Sequence, residues 1–143
     1  MQIRSEKSVA GLIPNIWYLS YYDPDSKSRP VVVKFGAGQQ MGVKHGSGLG
    51  GSSKSDRILD LSKLSVDSDK AINVATSEPL IAKLTLKATQ LCLEKEEGAP
   101  VWKVRLWAAK LRRPDQNADI GEVFISAESG KVVKNDLRPN KVD

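Results

Sequence analysis

Pro100-Val101-Trp102-Lys103-Val104-Arg105-Leu106-Trp107 places an apolar residue at every second position from Trp102 to Leu106, with a cation at each position between. A period of two belongs to a strand with one buried face. Further on, Glu122-Val123-Phe124-Ile125-Ser126-Ala127 repeats the pattern, with Val123, Ile125 and Ala127 on one side. Arg113-Pro114-Asp115-Gln116-Asn117 lies between the two and is rich in turn-forming residues. The two stretches are therefore expected to be antiparallel neighbours. Trp102, Val104 and Leu106 then share an inner face with Val123, Ile125 and Ala127. The opposite face carries Lys103, Arg105 and Trp107, beside Phe124 and Ser126.

The residues before this pair extend it. Thr89, Leu91 and Leu93 alternate with Gln90, Cys92 and Glu94, and Glu97-Gly98-Ala99-Pro100 provides a hairpin turn. Upstream, Asp67-Ser68-Asp69 precedes Lys70-Ala71-Ile72-Asn73-Val74-Ala75. Asp or Ser at a helix start accepts hydrogen bonds from free backbone N–H groups, and acidic charge there suits the helix dipole. A calcium loop would need further oxygen ligands and a glycine bend, which are absent. Ala71, Ile72 and Ala75 form an apolar stripe. Pro79 starts a second helical turn, with Leu80, Ile81 and Leu84 expected to point inward.

The N-terminal third follows the same plan. Pro14-Asn15-Ile16-Trp17-Tyr18-Leu19-Ser20-Tyr21-Tyr22 matches the segment from Pro100, with Trp17 on Trp102, Leu19 on Val104 and Tyr21 on Leu106. A turn at Asp23-Pro24-Asp25-Ser26 leads to Val31, Val33, Phe35 and Ala37. Placing Val33 on Val123 aligns Phe35 with Ile125, Ala37 with Ala127, Val43 with Val133 and Lys44 with Lys134. These matches predict two related β-units. Residues 1–45 form an N-terminal hairpin unit, residues 46–56 a flexible Gly/Ser-rich linker, and residues 57–143 a helix followed by three antiparallel strands. The linker contains Gly46, Gly48 and Gly51 in G-x-G-x-x-G spacing, but it lacks the buried strand before and the helix after that a dinucleotide site requires. Nor is Gly51 followed by the lysine of a phosphate loop.

Composition narrows the function classes. The chain has 143 residues, 40% hydrophobic and 27% charged, in the range of a soluble globular protein. No apolar run is long enough to span a membrane, and the first fifteen residues carry no apolar signal segment. A single cysteine, Cys92, excludes an internal disulfide and is expected to be a buried, inert thiol. The only histidine, His45, borders the linker, where catalytic geometry has no rigid support. No Cys/His grouping has zinc spacing. The net charge of +5 favours acidic partners. Its cations are spread along the chain, apart from Lys110, Arg112 and Arg113 at a predicted hairpin tip. Nucleic-acid binders gather a basic stripe, so no nucleic-acid partner is expected.

The helix at Asp69–Ala75, the strands after it and the closing Val123-Phe124-Ile125-Ser126-Ala127-Glu128-Ser129-Gly130-Lys131-Val132-Val133 resemble the PepSY domain of peptidase propeptides and bacterial envelope proteins. The resemblance covers roughly residues 60–135. It implies an α+β fold, a curved antiparallel sheet with a helix packed on one face, as in cystatin-like folds too. It also implies a binding or inhibitory role, often outside the cytoplasm, as an inhibitor or assembly partner in the bacterial envelope, with no catalytic residue; the motifs above give no reason to expect a cofactor or metal.

The expected function is therefore a non-enzymatic module that binds a protein or peptide. Its candidate face carries Tyr18, Tyr22, Lys103, Arg105, Trp107 and Phe124, since aromatic and cationic side chains bury area while making directional contacts. The alternatives are a self-associating structural protein, such as a homodimer that pairs strands or swaps units, and a small-ligand binder with a pocket between helix and sheet. The candidate face has its own competing reading, in which these aromatics are hidden between the two units.

Overall fold

The computed structural model describes residues 2–9, 11–22, 30–36, 39–45 and 61–143. The strands are β1 (Gln2–Ser5), β2 (Ile16–Tyr22), β3 (Pro30–Gly36), β4 (Gln39–His45), β5 (Leu86–Glu96), β6 (Ala99–Ala109), β7 (Asn117–Ser126) and β8 (Val132–Leu137). They form one sheet in the order β4-β3-β2-β1-β5-β6-β7-β8, and every neighbouring pair is antiparallel. Among the described residues there is one α-helix, α1 (Ser68–Thr76), which packs on β5, β6 and β7. The molecule is thus α+β, with an antiparallel sheet.

Five of the strands, β2, β3, β5, β6 and β7, form where alternation predicts them. Leu91, Leu93, Trp102, Val104, Leu106, Val123, Ile125 and Ala127 are buried in one cluster with Ala71, Ile72 and Ala75 of α1. Burying a side chain such as Leu106 or Ile125 stabilises the fold by about 1.5–3 kcal/mol. Asp67 caps α1, its Oδ1 accepting from the Lys70 N–H at 2.8 Å. The turn after β5 places Glu97 and Gly98 at φ 49° and 84°, the left-handed geometry a two-residue hairpin requires.

Several expectations need correction. The C-terminal unit has four strands after the helix, not three. Its last strand, Val132–Leu137, lies at the sheet edge with nearly every residue exposed, so it carries no alternation. The N-terminal unit is a four-stranded meander rather than a hairpin: β1, too short at four residues to show a period, precedes the expected pair, and β4, an edge strand where no strand was expected before the linker, follows it. Leu80 is 58% exposed, while Ile81 beside it is buried. The turn at 23–26, Ala37 and the linker at 46–56 lie outside the described residues, as do the side chains of Tyr22 and His45.

The two halves of the sheet meet at β1 and β5. Backbone pairing there is brief, Ile3 opposite Leu93 and Arg4 opposite Cys92. Beyond it, two serines continue the edge. The Leu91 N–H donates to Ser5 Oγ at 2.9 Å, and the Thr89 N–H donates to Ser8 Oγ at 2.8 Å. In return the Ser8 N–H donates to the Thr89 carbonyl at 2.8 Å, and the Thr89 hydroxyl donates to the Leu12 carbonyl at 2.6 Å. Ser5, Ser8 and Thr89 are all buried, so each of these bonds satisfies a group that would otherwise cost about 1–3 kcal/mol.

Register runs alike outward from this seam. Trp17 faces Phe35 as Trp102 faces Ile125, and Leu19 faces Val33 as Val104 faces Val123. The β3–β4 register shifts between Lys34 and Phe35, and the β7–β8 register shifts between Phe124 and Ile125. The last strands depart from the sequence match. Val33 faces Val43, but Val123 faces Asn135, so Val43 and Val133 do not occupy corresponding places. Trp17 and Trp102 meet edge to face across the seam, with centroids 6.3 Å apart and planes at 81°.

Gly121 sits at a register irregularity between β6 and β7, with φ +104°. A Cβ there would lie 2.1 Å from the Asp136 carbonyl oxygen on β8. Gly121→Ala is expected to lower the unfolding free energy by more than the roughly 1–3 kcal/mol of backbone strain alone. Gly98→Ala, at φ +84° in open space, should cost the strain and no more. Urea denaturation of both variants checks the difference.

Candidate functional site

Alternation places every side chain of the sheet on one of two faces. α1 and the apolar cluster occupy the inner face. On the outer face, register aligns one residue from each strand in a single row. Gly42, Lys34, Tyr18, Arg4, Cys92, Lys103, Phe124 and Lys134 stand side by side from β4 to β8. From Lys34 to Lys134 the row crosses six strand intervals, roughly 29 Å at ordinary strand spacing.

The row holds two aromatic rings, each flanked by two cations. Arg4 lies 4.6 Å from the Tyr18 ring centroid and the Lys34 ammonium lies 5.8 Å from it. Lys103 and Lys134 lie 5.5 and 5.1 Å from the Phe124 centroid. All four are within the range in which a cation is drawn to a ring face. The Arg4–Cys92 pair separates the two stations. Trp107 lies further along β6, with the Lys7 ammonium 4.4 Å from its ring centroid.

Carboxylates are interleaved with these groups. Lys103 pairs with Glu94 and, at 3.0 Å, with Glu96. Arg105 bridges Asp119 at 2.7 Å and Glu122 at 2.6 Å. The Tyr18 hydroxyl donates to Glu6 at 2.5 Å, and this bond is the main reason its pKa is raised. Burial pulls the Lys103 ammonium down, but hydrogen bonds to Glu94 and Glu96 more than reverse this, leaving its pKa above the ordinary value. Burial pushes the Glu94 carboxyl up, and hydrogen bonds from Lys103 and Gln2 outweigh it, so its pKa ends below 4.5. Cys92 is half-buried; burial, with Glu94 nearby, pushes its thiol up to about 11 and keeps it protonated at neutral pH. Among the described residues, Arg4, Lys34 and Lys134 have no ion pair with a carboxylate.

Of the side chains expected on the candidate face, Tyr18, Lys103, Arg105, Trp107 and Phe124 all lie on the outer face, each half-buried. Tyr18, Lys103 and Phe124 fall in one row, while Arg105 and Trp107 stand in later rows of β6. Tyr22 pairs with Pro30 at the far end of β2. Sequence reasoning missed Arg4, Lys34 and Lys134, which complete the two stations. Lys34 was readable, since it precedes the inward Phe35. Arg4 was not, because β1 is too short for a pattern.

The Glu94–Lys103 pair gives a pH prediction. Glu94 has a lowered pKa when folded, so its contribution is complete above its ordinary 4.5 and drains away as pH falls through the lowered value. Glu94→Gln should lower stability at neutral pH by up to about 1 kcal/mol, the upper end for a solvent-screened pair. The urea midpoints of the two proteins should converge as pH falls below 4.5.

No helix among the described residues is long and apolar enough to cross a membrane. In comparisons with known proteins, no family model, no curated protein and no solved structure matches the chain.

Proposed function

We propose that this chain is a non-enzymatic binding module that docks a protein or peptide with acidic side chains on the outer face of its sheet. The observation that carries this reading is the row of two cation–aromatic–cation stations, with no part of α1 or its apolar cluster on that face. Each station combines a ring to bury with cations to pair, the composition enriched at interface anchors. Among the described residues, Arg4, Lys34 and Lys134 are the cations of the row without an ion pair, placed to meet a partner's carboxylates. Glu94 and Glu96 neutralise Lys103, and Asp119 and Glu122 neutralise Arg105, so the remaining cations of the row are isolated points that suit separate carboxylates of a protein rather than the continuous charge of a phosphate backbone. The two four-stranded halves are copies of one unit, and the unit with the helix is PepSY-like. On that kinship the module works outside the cytoplasm, in the bacterial envelope.

Affinity capture from the source organism, with cross-linking, tests the face. Wild type is expected to retain a discrete partner that high salt weakens. Tyr18→Ala/Phe124→Ala, with an unchanged circular dichroism spectrum, should lose it. Equal capture by both proteins would contradict the reading.

Self-association has one observation in its favour. β8 is an edge strand, with Val132 37% and Val133 58% exposed, and such edges can pair with a second copy. Light scattering should then give a dimer that Val133→Lys dissociates. A concentration-independent monomer would remove this reading.

A further inference from the structure

Three segments meet at the end of the sheet where β5 and β7 begin and β6 and β8 end. They are residues 82–85, the β6–β7 tip at 110–116, and residues 138–143. Backbone bonds tie them to the sheet and to one another. The Ala109 N–H donates to the Thr85 carbonyl at 2.9 Å, the Leu111 N–H to the Val142 carbonyl at 2.8 Å, and the Arg138 N–H to the Ile120 carbonyl at 2.7 Å. The Lys110 N–H closes the tip, donating to the Gln116 carbonyl at 2.9 Å. Val142 is buried, whereas Leu111 beside it is 62% exposed. The Leu111 side chain thus stands in solvent on a fixed backbone.

The three segments carry six cations, Lys83, Lys110, Arg112, Arg113, Arg138 and Lys141, against two carboxylates, Asp115 and Asp143. Five of the cations are exposed and Lys110 is half-buried. Among the described residues, none of the six has an ion pair with a carboxylate. Asp119, just inside β7, is held by Arg105. This end therefore holds most of the chain's net charge of +5. The kind of anion it suits follows from what surrounds the charge. None of the three segments has an aromatic ring on which a base could stack or that could anchor a protein interface. Lysine is also depleted at protein interfaces. A lipid surface uses this combination, because headgroup phosphates draw cations within a Debye length and the headgroup boundary accepts an apolar side chain.

We infer that this end of the sheet docks on an anionic phospholipid surface. Arg112, Arg113 and the neighbouring cations meet headgroup phosphates, and Leu111 enters the boundary between headgroups and acyl chains. The inference is independent of the outer-face reading. Lys34 and Lys134 of the outer row take no part in it, and they supply a control of equal charge.

Sedimentation of the full chain with extruded vesicles tests it. Vesicles of equal phosphatidylcholine and phosphatidylglycerol should bind the chain, and vesicles of phosphatidylcholine alone should not. A cation close to such a surface contributes about fivefold to partition, so Arg112→Gln/Arg113→Gln should weaken binding roughly 25-fold. Leu111→Ser, at unchanged net charge, should weaken it about tenfold. Lys34→Gln/Lys134→Gln removes the same charge from the outer face and should bind within about twofold of wild type. Circular dichroism spectra are expected to be unchanged in every variant. The inference is overturned if the mixed vesicles do not bind, if the lysine pair costs as much as the arginine pair, or if Leu111→Ser binds as wild type does. It is also overturned if polyglutamate or a DNA duplex, at equal concentration of charge, binds through the same arginines as tightly as the vesicles.

Discussion

The architecture depends on a short seam. β1 and β5 share only two backbone register pairs, yet they turn two four-stranded meanders into one eight-stranded sheet. Pairing alone would leave the N–H groups of Thr89 and Leu91 at an open, buried edge. The hydroxyls of Ser8 and Ser5 fill those places. A buried serine is usually a cost, offset here because each oxygen meets a backbone donor that has no strand partner. Across the seam on the outer face, Gln2 reinforces the junction, its Nε2 donating to Glu94 at 3.0 Å.

This seam also sets the chemistry of both surfaces. Arg4 pairs with Cys92, which carries the outer row from one half into the other. A register slip of one residue at the seam would send Arg4 inward and Ile3 outward, breaking the row and the core together. On the inner side, the same junction brings Trp17 against Trp102 and leaves an apolar groove beside them. The cation–aromatic row and the groove are thus two consequences of one register.

Much of this was legible in the sequence, and what was not has identifiable causes. Trp102 to Leu106 and Val123 to Ala127 alternate cleanly because one face is buried under α1, and that face is apolar without exception. Asp67 announced the helix start through its capping chemistry. The matched tryptophans, Trp17 and Trp102, are the pair that meets at the seam. Alternation says nothing about a four-residue strand such as β1 or an exposed edge strand such as β8, since neither separates a wet face from a dry one. Nor could it foresee that Ser5 and Ser8 act as surrogate strand partners, because an isolated serine carries no period. The outer face was read in part: Lys103 and Phe124 followed from their strands, while Arg4 waited on a strand order that sequence does not encode locally.

Native-state amide hydrogen exchange at Thr89 and Leu91 tests the seam most directly. With the serine hydroxyls in place, both amides should be protected to within about 1 kcal/mol of global unfolding, like the centre of β6. Exchange at rates typical of an open strand edge would show that the two meanders are not joined as described.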